Sequence, residues 1–400
     1  MKSIEEAKSA ILSAVTPTSH TESVPLLESH GRVARETVAA SVPLPGFDNS
    51  AMDGFAVRAE NSLGPGMRLK VVGEQPAGRD GGLTVGAGEA VRIFTGAPIP
   101  QGATAVVMQE DCRSVGEGEI EITESISPGD FLRRAGSDLC RGQSVLKPGQ
   151  RINEGRIGVL ASQGIAAVRV SELPRIAIVT TGDELVPPGQ ELEPGQLYNS
   201  NGAMLGSLAR SALGNVIPLE FRHLADDLTA SAATLEELRK SCDILLLTGG
   251  VSVGDHDHVK DAAFQAGFSG EFWRVRMKPG KPLFFAAATD SILFGLPGNP
   301  VSAFVTFKIF VESALWKWCG ASTPCEMASK FSGILAEDFE NKGDRPHFVR
   351  VRIDRNAGKI HPSGPQRSDA LFGLSQADGL LCIGAHGRLN AGTEVSVQLI

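Results

Sequence analysis

Thr180-Thr181-Gly182-Asp183-Glu184-Leu185 ends an apolar run at 176–179 with two hydroxyls, a glycine and two carboxylates. Acids in that position either favour a helix N-terminus or hold a cation, and the segment alone leaves both readings open. A second apolar run, 244–247, leads into Thr248-Gly249-Gly250-Val251-Ser252-Val253-Gly254-Asp255-His256-Asp257-His258. Glycines and hydroxyls ahead of a helix let backbone N–H groups approach an anion, in a spacing that is neither a P-loop nor the dinucleotide-binding fingerprint. Asp255 and Asp257 would be unfavourable in an anion loop unless a Mg²⁺ sat between them and a phosphate. His256 and His258 lack a third ligand at zinc spacing and read as surface histidines. Met277-Lys278-Pro279-Gly280-Lys281-Pro282 sets two point charges on a rigid turn. Gly295-Leu296-Pro297-Gly298-Asn299-Pro300 opens a helix, where proline by itself is ordinary.

The N-terminal half adds acids and hydroxyls on further turns. Residues 45–57 form a polar, aromatic-flanked turn carrying Asp48 and Asp53. Residues 92–96 end in Thr95-Gly96, and residues 133–138 join Arg133 and Arg134 to Asp138. Each segment alone reads equally well as a solvated loop, so the elements that bring them together decide their meaning.

Ile4, Ala7, Ile11, Leu12 and Val15 space an amphipathic first helix. Residues 21–170 are β-rich, with short runs at 69–72, 90–94, 105–108, 119–123 and 144–146, a helix at 152–162 stopped by Gly164, and a strand at 166–170. From Pro174 strands at 176–180, 215–219, 244–247, 271–277, 282–286 and 291–295 alternate with helices at 202–213, 227–240, 256–266 and a long amphipathic one at 301–318. Ile-Ala-Ile-Val and Ile-Leu-Leu-Leu are unbroken apolar runs, as expected of parallel strands covered on both faces. The pattern predicts a doubly wound α/β domain whose working loops emerge on one sheet edge. Past Gly320, alternating strands at 348–353, 379–383 and 394–400 predict a small β domain.

Composition sets outer limits. With 46 Gly and 23 Pro in 400 residues, many short elements meet at tight corners, and the length calls for two to four domains rather than one core. Lys and Arg number 38 against 46 Asp and Glu, and a net charge of -8 provides no field for holding nucleic acid. Cys112, Cys140, Cys242, Cys319, Cys325 and Cys382 are scattered and read as reduced thiols. Acids near the N-terminus argue against a signal peptide. The long uncharged run at 291–307 is broken by Pro297 and Pro300, so no membrane span is expected and the protein is read as cytoplasmic.

Seven segments, in this order, resemble the MoeA family, the molybdopterin molybdenumtransferases, whose animal relative is the C-terminal domain of gephyrin. They are PGFDNSAMDGFAV (45–57), RIFTGA (92–97), TTGDEL (180–185), YNSN (198–201), TGGVSVGDHDHVK (248–260), MKPGKP (277–282) and GLPGNPVSAF (295–304). The resemblance runs over essentially the whole chain and implies an α/β multidomain fold. Domain III, the central doubly wound molybdopterin-binding-like domain, would comprise 1–20 and 172–320. Domain I would comprise 21–45 and 140–171, with β-rich domain II inserted at 46–139, and 321–400 would form domain IV, a small C-terminal β-barrel domain. The resemblance also implies a homodimer with its active site where domain III of one chain meets domain II of the other. The implied activity is insertion of molybdate into adenylylated molybdopterin, with Mg²⁺-dependent release of AMP.

Carried over residue by residue, the resemblance implies Asp53, Thr95, Asp138, Glu184, Asp226, Asp257 and Lys278 as catalytic, with Glu184 and Asp257 also on Mg²⁺. Gly249, Gly250, Ser252 and Gly254 would cradle phosphates, with Lys278 and Lys281 compensating charge. Asn199, Ser200, Asn201, Arg350 and Ser368 would complete the substrate site, and Pro297 and Pro300 would shape the molybdate loop. Arg274 stands where relatives carry a lysine, keeping the charge with different hydrogen-bond geometry. A molybdopterin adenylyltransferase resembles the α/β domain alone, lacking the MDGF loop and the β tail, and is also the kind of partner that could deliver a labile pterin. In a gephyrin-like scaffold the enzyme site would have decayed, against which the acids and lysines of every motif are intact, whereas a tungstate-using enzyme would carry the same motifs.

Overall fold

The structure, a computed structural model, describes the chain except residues 215, 225–226, 251–258 and 323–329. The chain divides into two compact units, a smaller one of Thr37–Leu146 with Gly158–Ile165, and a larger one of Met1–Glu36, Lys147–Ile157 and Ala166–Ile400.

The larger unit begins with α1 (Ile4–Ala14). The Glu6 N–H donates to the Ser3 hydroxyl at 3.1 Å, and the Ser3 N–H donates to the Glu6 carboxylate at 2.7 Å. This reciprocal cap satisfies two otherwise orphaned donors and stabilises the helix start by about 1 kcal/mol. Ile4, Ala7, Ile11 and Val15 bury in the α/β core as their spacing predicts.

The smaller unit is built on β1 (Gly54–Val57), β2 (Arg68–Gln75), β3 (Glu89–Ile93), β4 (Ala105–Met108), β5 (Cys112–Gly116) and β6 (Glu119–Ile122), in the order β4-β1-β3-β2-β6-β5. Strand β1 comes out of the MDGF turn. Gly54 makes it possible, because a Cβ there would lie 1.9 Å from the Val107 carbonyl oxygen of β4.

In the larger unit follow β7 (Ile176–Thr181), α2 (Ser200–Leu213), β8 (Leu219–Leu224), α3 (Leu228–Ser241), β9 (Ile244–Thr248), α4 (Val259–Gln265), β10 (Ser269–Trp273), β11 (Phe284–Ala287), β12 (Ile292–Leu296), α5 (Pro300–Thr306) and α6 (Glu312–Trp318). The strands form one sheet in the order β8-β7-β9-β12-β11-β10. Leu205, Phe285, Phe294 and Phe310 pack on one face with α1, and Leu235, Leu245, Leu247 and Ala263 on the other. Every residue of β7 and β9 is buried, as their unbroken apolar runs predict.

The sheet is doubly wound as expected, with β8, β7, β9 and β12 parallel and β11 and β10 antiparallel to their neighbours. The short link from β11 to β12, closed by the Ala288 N–H on Ser291 O, allows only an antiparallel pair. Three expectations need correction. The strand expected at 215–219 lies at Leu219–Leu224, because it is an edge strand with Phe221, Arg222 and His223 exposed and so carries no apolar run. The strand expected to reach 277 stops at Trp273, where Arg274 takes a φ of 83°. The helix at 301–318 contains a π-helical turn at Phe307–Val311 and is buried on nearly every side, not amphipathic, because α1 and α2 both pack on it.

The C-terminal part of the larger unit is a closed barrel of β13 (Lys330–Leu335), β14 (His347–Asp354), β15 (Lys359–Pro362), β16 (Gly379–Ile383) and β17 (Glu394–Leu399), with α7 (Leu371–Ser375) between β15 and β16. The first five residues of β14 are buried on both faces instead of alternating. Val349 and Val351 belong to the barrel core, and Phe348 to the α/β core. Among the described residues, no helix is long and apolar enough to cross a membrane. Cys112, Cys140, Cys242, Cys319 and Cys382 are unpaired thiols, and Cys325 lies outside the described residues.

Candidate functional site

The sheet's C-terminal edge opens on a cleft of about 1080 Å³ within the larger unit. Thr181 and Glu184 come from the end of β7, Thr248, Gly249 and Gly250 from the end of β9, and Pro297 to Pro300 from the end of β12. Lys278 to Pro282 enter on the turn after β10, and Asn199, Ser200 and Asn201 at the start of α2. The loops approach one another through glycine. A Cβ on Gly249, at a φ of 94°, would lie 2.6 Å from Thr181 Oγ1, and one on Gly280, at 99°, would lie 2.6 Å from Thr306 Cγ2.

One amide joins three of these loops. Asn201 Nδ2 donates to Thr248 Oγ1 at 2.8 Å and to Gly298 O at 2.7 Å, and the Thr248 hydroxyl donates onward to Pro297 O at 3.1 Å. Asn199 caps α2 by accepting the Gly202 N–H at 3.0 Å, and its Nδ2 donates to Thr180 Oγ1 at 2.8 Å. Lys278 and Lys281 are exposed on the cleft wall, and neither is ion-paired with a carboxylate among the described residues. Glu184 is exposed on the same lining.

The remaining wall comes from the barrel. The Val301 N–H, an orphan donor of α5, donates to Ser368 O at 3.1 Å, and Asn299 Nδ2 donates to Ser368 Oγ at 3.0 Å. Behind that loop, Arg350 is 1 % exposed. Its Nη1 donates to Ala370 O at 3.0 Å and its Nη2 to Pro365 O, while its backbone N–H donates to Gln366 Oε1 at 2.9 Å.

In the smaller unit, Asp53 accepts both the N–H and the hydroxyl of Thr95, each at 2.7 Å. These two bonds, aided by Arg92, hold the Asp53 carboxyl below the ordinary range, so it is ionised at neutral pH. Arg92 lies over the rings of Phe55 at 5.0 Å and Phe94 at 5.4 Å, and donates to Gln109 Oε1 at 2.6 Å. Asp138 is exposed, and its backbone N–H donates to Leu44 O at 2.9 Å.

Comparison with known proteins matches residues 2–164 to the MoeA N-terminal region (domain I and II), 177–317 to a probable molybdopterin binding domain and 332–400 to the MoeA C-terminal region (domain IV). A molybdopterin molybdenumtransferase 2 of Mycobacterium tuberculosis is 37% identical over 369 residues, covering 90% of each chain. The chain belongs to the MoeA family of molybdopterin molybdenumtransferases. A Bacillus subtilis molybdopterin molybdenumtransferase is 35% identical over 390 residues, 95% of this chain and 90% of that one. The solved molybdopterin biosynthesis MoeA protein of Pyrococcus horikoshii OT3 is 29% identical, with a TM-score of 0.83 over the whole of both chains.

Set against the residues expected from the family, the cleft gathers Glu184, Asn199, Ser200, Asn201, Gly249, Gly250, Lys278, Lys281, Pro297, Pro300 and Ser368. Asp53 and Thr95 meet in the smaller unit. Asp226, Ser252, Gly254 and Asp257 lie outside the described residues, as do Asp255, His256 and His258. Two of the expected residues lie off the cleft lining. Arg350 is absent from the cleft lining, and its guanidinium donates to Ala370 O and Pro365 O beneath the 365–370 loop. Arg274 is also absent from it and stacks on Trp273, its Cζ 3.9 Å from the ring centroid. Among the described residues, no cluster of three or more His, Cys, Asp or Glu could hold a metal ion.

Sequence reasoning missed Arg345, Gln366, Arg367 and Asp369, all on the cleft wall. Arg345 Nη1 also donates to Met277 O at 3.1 Å and so braces the lysine turn. Their only local signal was a charged turn on either side of barrel strands, which any solvated turn shares.

His347, at the start of β14, is buried beside that turn. Burial, with Lys278, Arg350 and Arg345 adding repulsion, pushes its imidazole down to about 4. The folded chain thus keeps His347 neutral where the unfolded chain, with an ordinary value near 6.5, takes up a proton. The stability it contributes is complete above about pH 6.5 and is lost as pH falls toward 4, by on the order of 3 kcal/mol. Urea unfolding between pH 7.5 and 4.5 is expected to show a steeper acid loss for the parent than for His347→Phe. Parallel curves would refute this.

Proposed function

We propose that this cleft binds adenylylated molybdopterin and molybdate, and that the chain transfers molybdenum to the pterin dithiolene with release of AMP. The observation that carries the reading is the pair Lys278 and Lys281, held on a braced turn, exposed to the cleft and without carboxylate partners among the described residues. Such cations suit a tetrahedral oxyanion and a phosphoanhydride. As two Mo–S bonds form, one oxo group leaves as water with two protons, the number that the two thiols give up. Water cleaving the phosphoanhydride then frees AMP.

Lys278 and Lys281 offset the oxyanion charge, while Asn201 holds the loops of β9 and β12 at fixed spacing beneath it. A Mg²⁺ takes one or two carboxylates plus phosphate oxygens, and Glu184, exposed on the cleft wall, fits that demand together with Asp257 from outside the described residues. Bound there, it would neutralise charge on the phosphoanhydride. The reading includes a cytoplasmic homodimer, four domains divided as the resemblance implies, and a cleft completed by Asp53 of the partner subunit. The Thr95 bonds aim that carboxylate and keep it ionised as a proton acceptor. Asp53→Ala is expected to lower turnover by about a hundredfold or more, with an unchanged unfolding midpoint because the residue is exposed. Full activity in that variant would remove Asp53 from the site.

The direct test is AMP release from purified adenylylated molybdopterin with Mg²⁺, with and without molybdate, alongside the metal content of the pterin product. Molybdate-dependent AMP release with molybdenum on the pterin is expected. Folded, dimeric protein that releases none would favour the scaffold reading, and release only with tungstate would change the oxyanion.

A further inference from the structure

A second group of cations lies along the same sheet edge. Lys260 Nζ is 4.7 Å and Arg274 Cζ 3.9 Å from the centroid of the Trp273 ring. Both side chains are half-buried, and neither is ion-paired with a carboxylate among the described residues. Their charges are held within about one Debye length of each other, so each raises the energy of the other until an anion arrives. Cation–π contact orders both groups while leaving N–H donors free.

The register ties this cluster to the cleft. Trp273 pairs with Phe284, Phe284 with Gly295, and Gly295 with Leu247, so the tryptophan sits level with the ends of β9 and β12 from which the cleft loops spring. Past it the ladder continues, with the Arg274 N–H donating to Leu283 O at 3.0 Å and the Val275 N–H to Lys281 O at 3.0 Å. Arg274 is thus one hydrogen-bonded step from the turn that carries Lys281. Its φ of 83° is a strained conformation for a bulky residue and persists only where the surroundings hold it. Lys260 is presented by α4, whose first turn follows the glycine loop in sequence.

We propose that Lys260 and Arg274, held on Trp273, form an anion subsite that receives a phosphoryl group of the substrate, the AMP phosphate after cleavage. Lys260 binds the phosphoryl group, and Trp273 is its positioning residue. The subsite rests on the molybdenumtransferase reading for the identity of its ligand. It divides the work along the edge, with Lys278 and Lys281 toward the oxyanion and Lys260 and Arg274 toward the nucleotide phosphate.

Calorimetric titration of the intact protein with AMP, with inorganic phosphate and with molybdate tests it. Lys260→Ala is expected to weaken AMP about tenfold or more and leave molybdate affinity unchanged. Lys260→Arg should restore most of the loss, and Trp273→Leu should weaken AMP although it removes no charge. Inorganic phosphate that competes with AMP in the parent, and no longer does so in Lys260→Ala, assigns the phosphoryl group. AMP affinity indifferent to Lys260, in a variant that unfolds at the parent's midpoint and still binds molybdate, overturns the subsite. If the parent binds AMP through Lys260 yet transfers no molybdenum, the subsite stands and the functional reading fails.

Discussion

Lys281→Ala is expected to lower molybdate-dependent AMP release by about 10²–10³-fold while leaving the urea midpoint in place. The side chain is exposed, and no carboxylate among the described residues pairs with it, so its removal breaks no ion pair there. What it does is place a charge at a defined point. The turn is pinned by the Lys278 N–H on Pro346 O at 2.8 Å, by Arg345 on Met277 O and by Gly280 pressed on Thr306. At an effective dielectric near 20, a unit charge 4 Å from another is worth about 4 kcal/mol, enough for the predicted loss when the anion carries two charges. Lys278→Ala should have a similar effect, and the double variant less than the product of the two, since both lysines would face one anion. Initial rates against molybdate concentration check this. A raised KM with unchanged kcat would place Lys281 in oxyanion binding alone, and a fall in kcat would place it in the transition state. Unchanged rates would remove the lysine turn from the site.

Legibility in the sequence followed burial on two faces and failed where contacts are distant. Strands β7 and β9 were readable because each residue of their apolar runs is covered, leaving no alternation to confuse with a helix. Strand β8 was displaced because an edge strand needs no apolar run, and its exposed Phe221, Arg222 and His223 gave none. The glycine loop, the lysine turn and the Pro297–Pro300 segment announced themselves by residue type, and the topology of the sheet brought them together. Arg345 and the 366–369 wall gave no such notice, since they reach the cleft only because the barrel docks on α5 through Ser368 and Asn299. Arg350 shows the converse. It looks like a substrate-binding cation in sequence, yet its guanidinium is engaged by carbonyl groups.

Arg350→Met is expected to destabilise the protein by about 3 kcal/mol, since hydrogen bonds to a charged group contribute about 1.5–3 kcal/mol each. Pro365 O would lose its Arg350 donor, and Ala370 O would keep only the Leu374 N–H at 3.3 Å. Part of that loss is offset, because burial already holds the guanidinium below its ordinary value and methionine ends its desolvation. Methionine also fills most of the volume, so Arg350→Ala should be worse by the further cost of a cavity. Function should follow from position. The loop that Arg350 holds carries Arg367, Ser368 and Asp369 onto the cleft wall, so the apparent KM for molybdate should rise with the loss of stability. Urea unfolding and molybdate kinetics on Arg350→Met and on Ser368→Ala separate the two roles. If Arg350 only positions the loop, Ser368→Ala impairs kinetics with little change in stability, whereas Arg350→Met impairs both. An Arg350→Met protein as stable as its parent but without turnover would return Arg350 to direct contact with substrate.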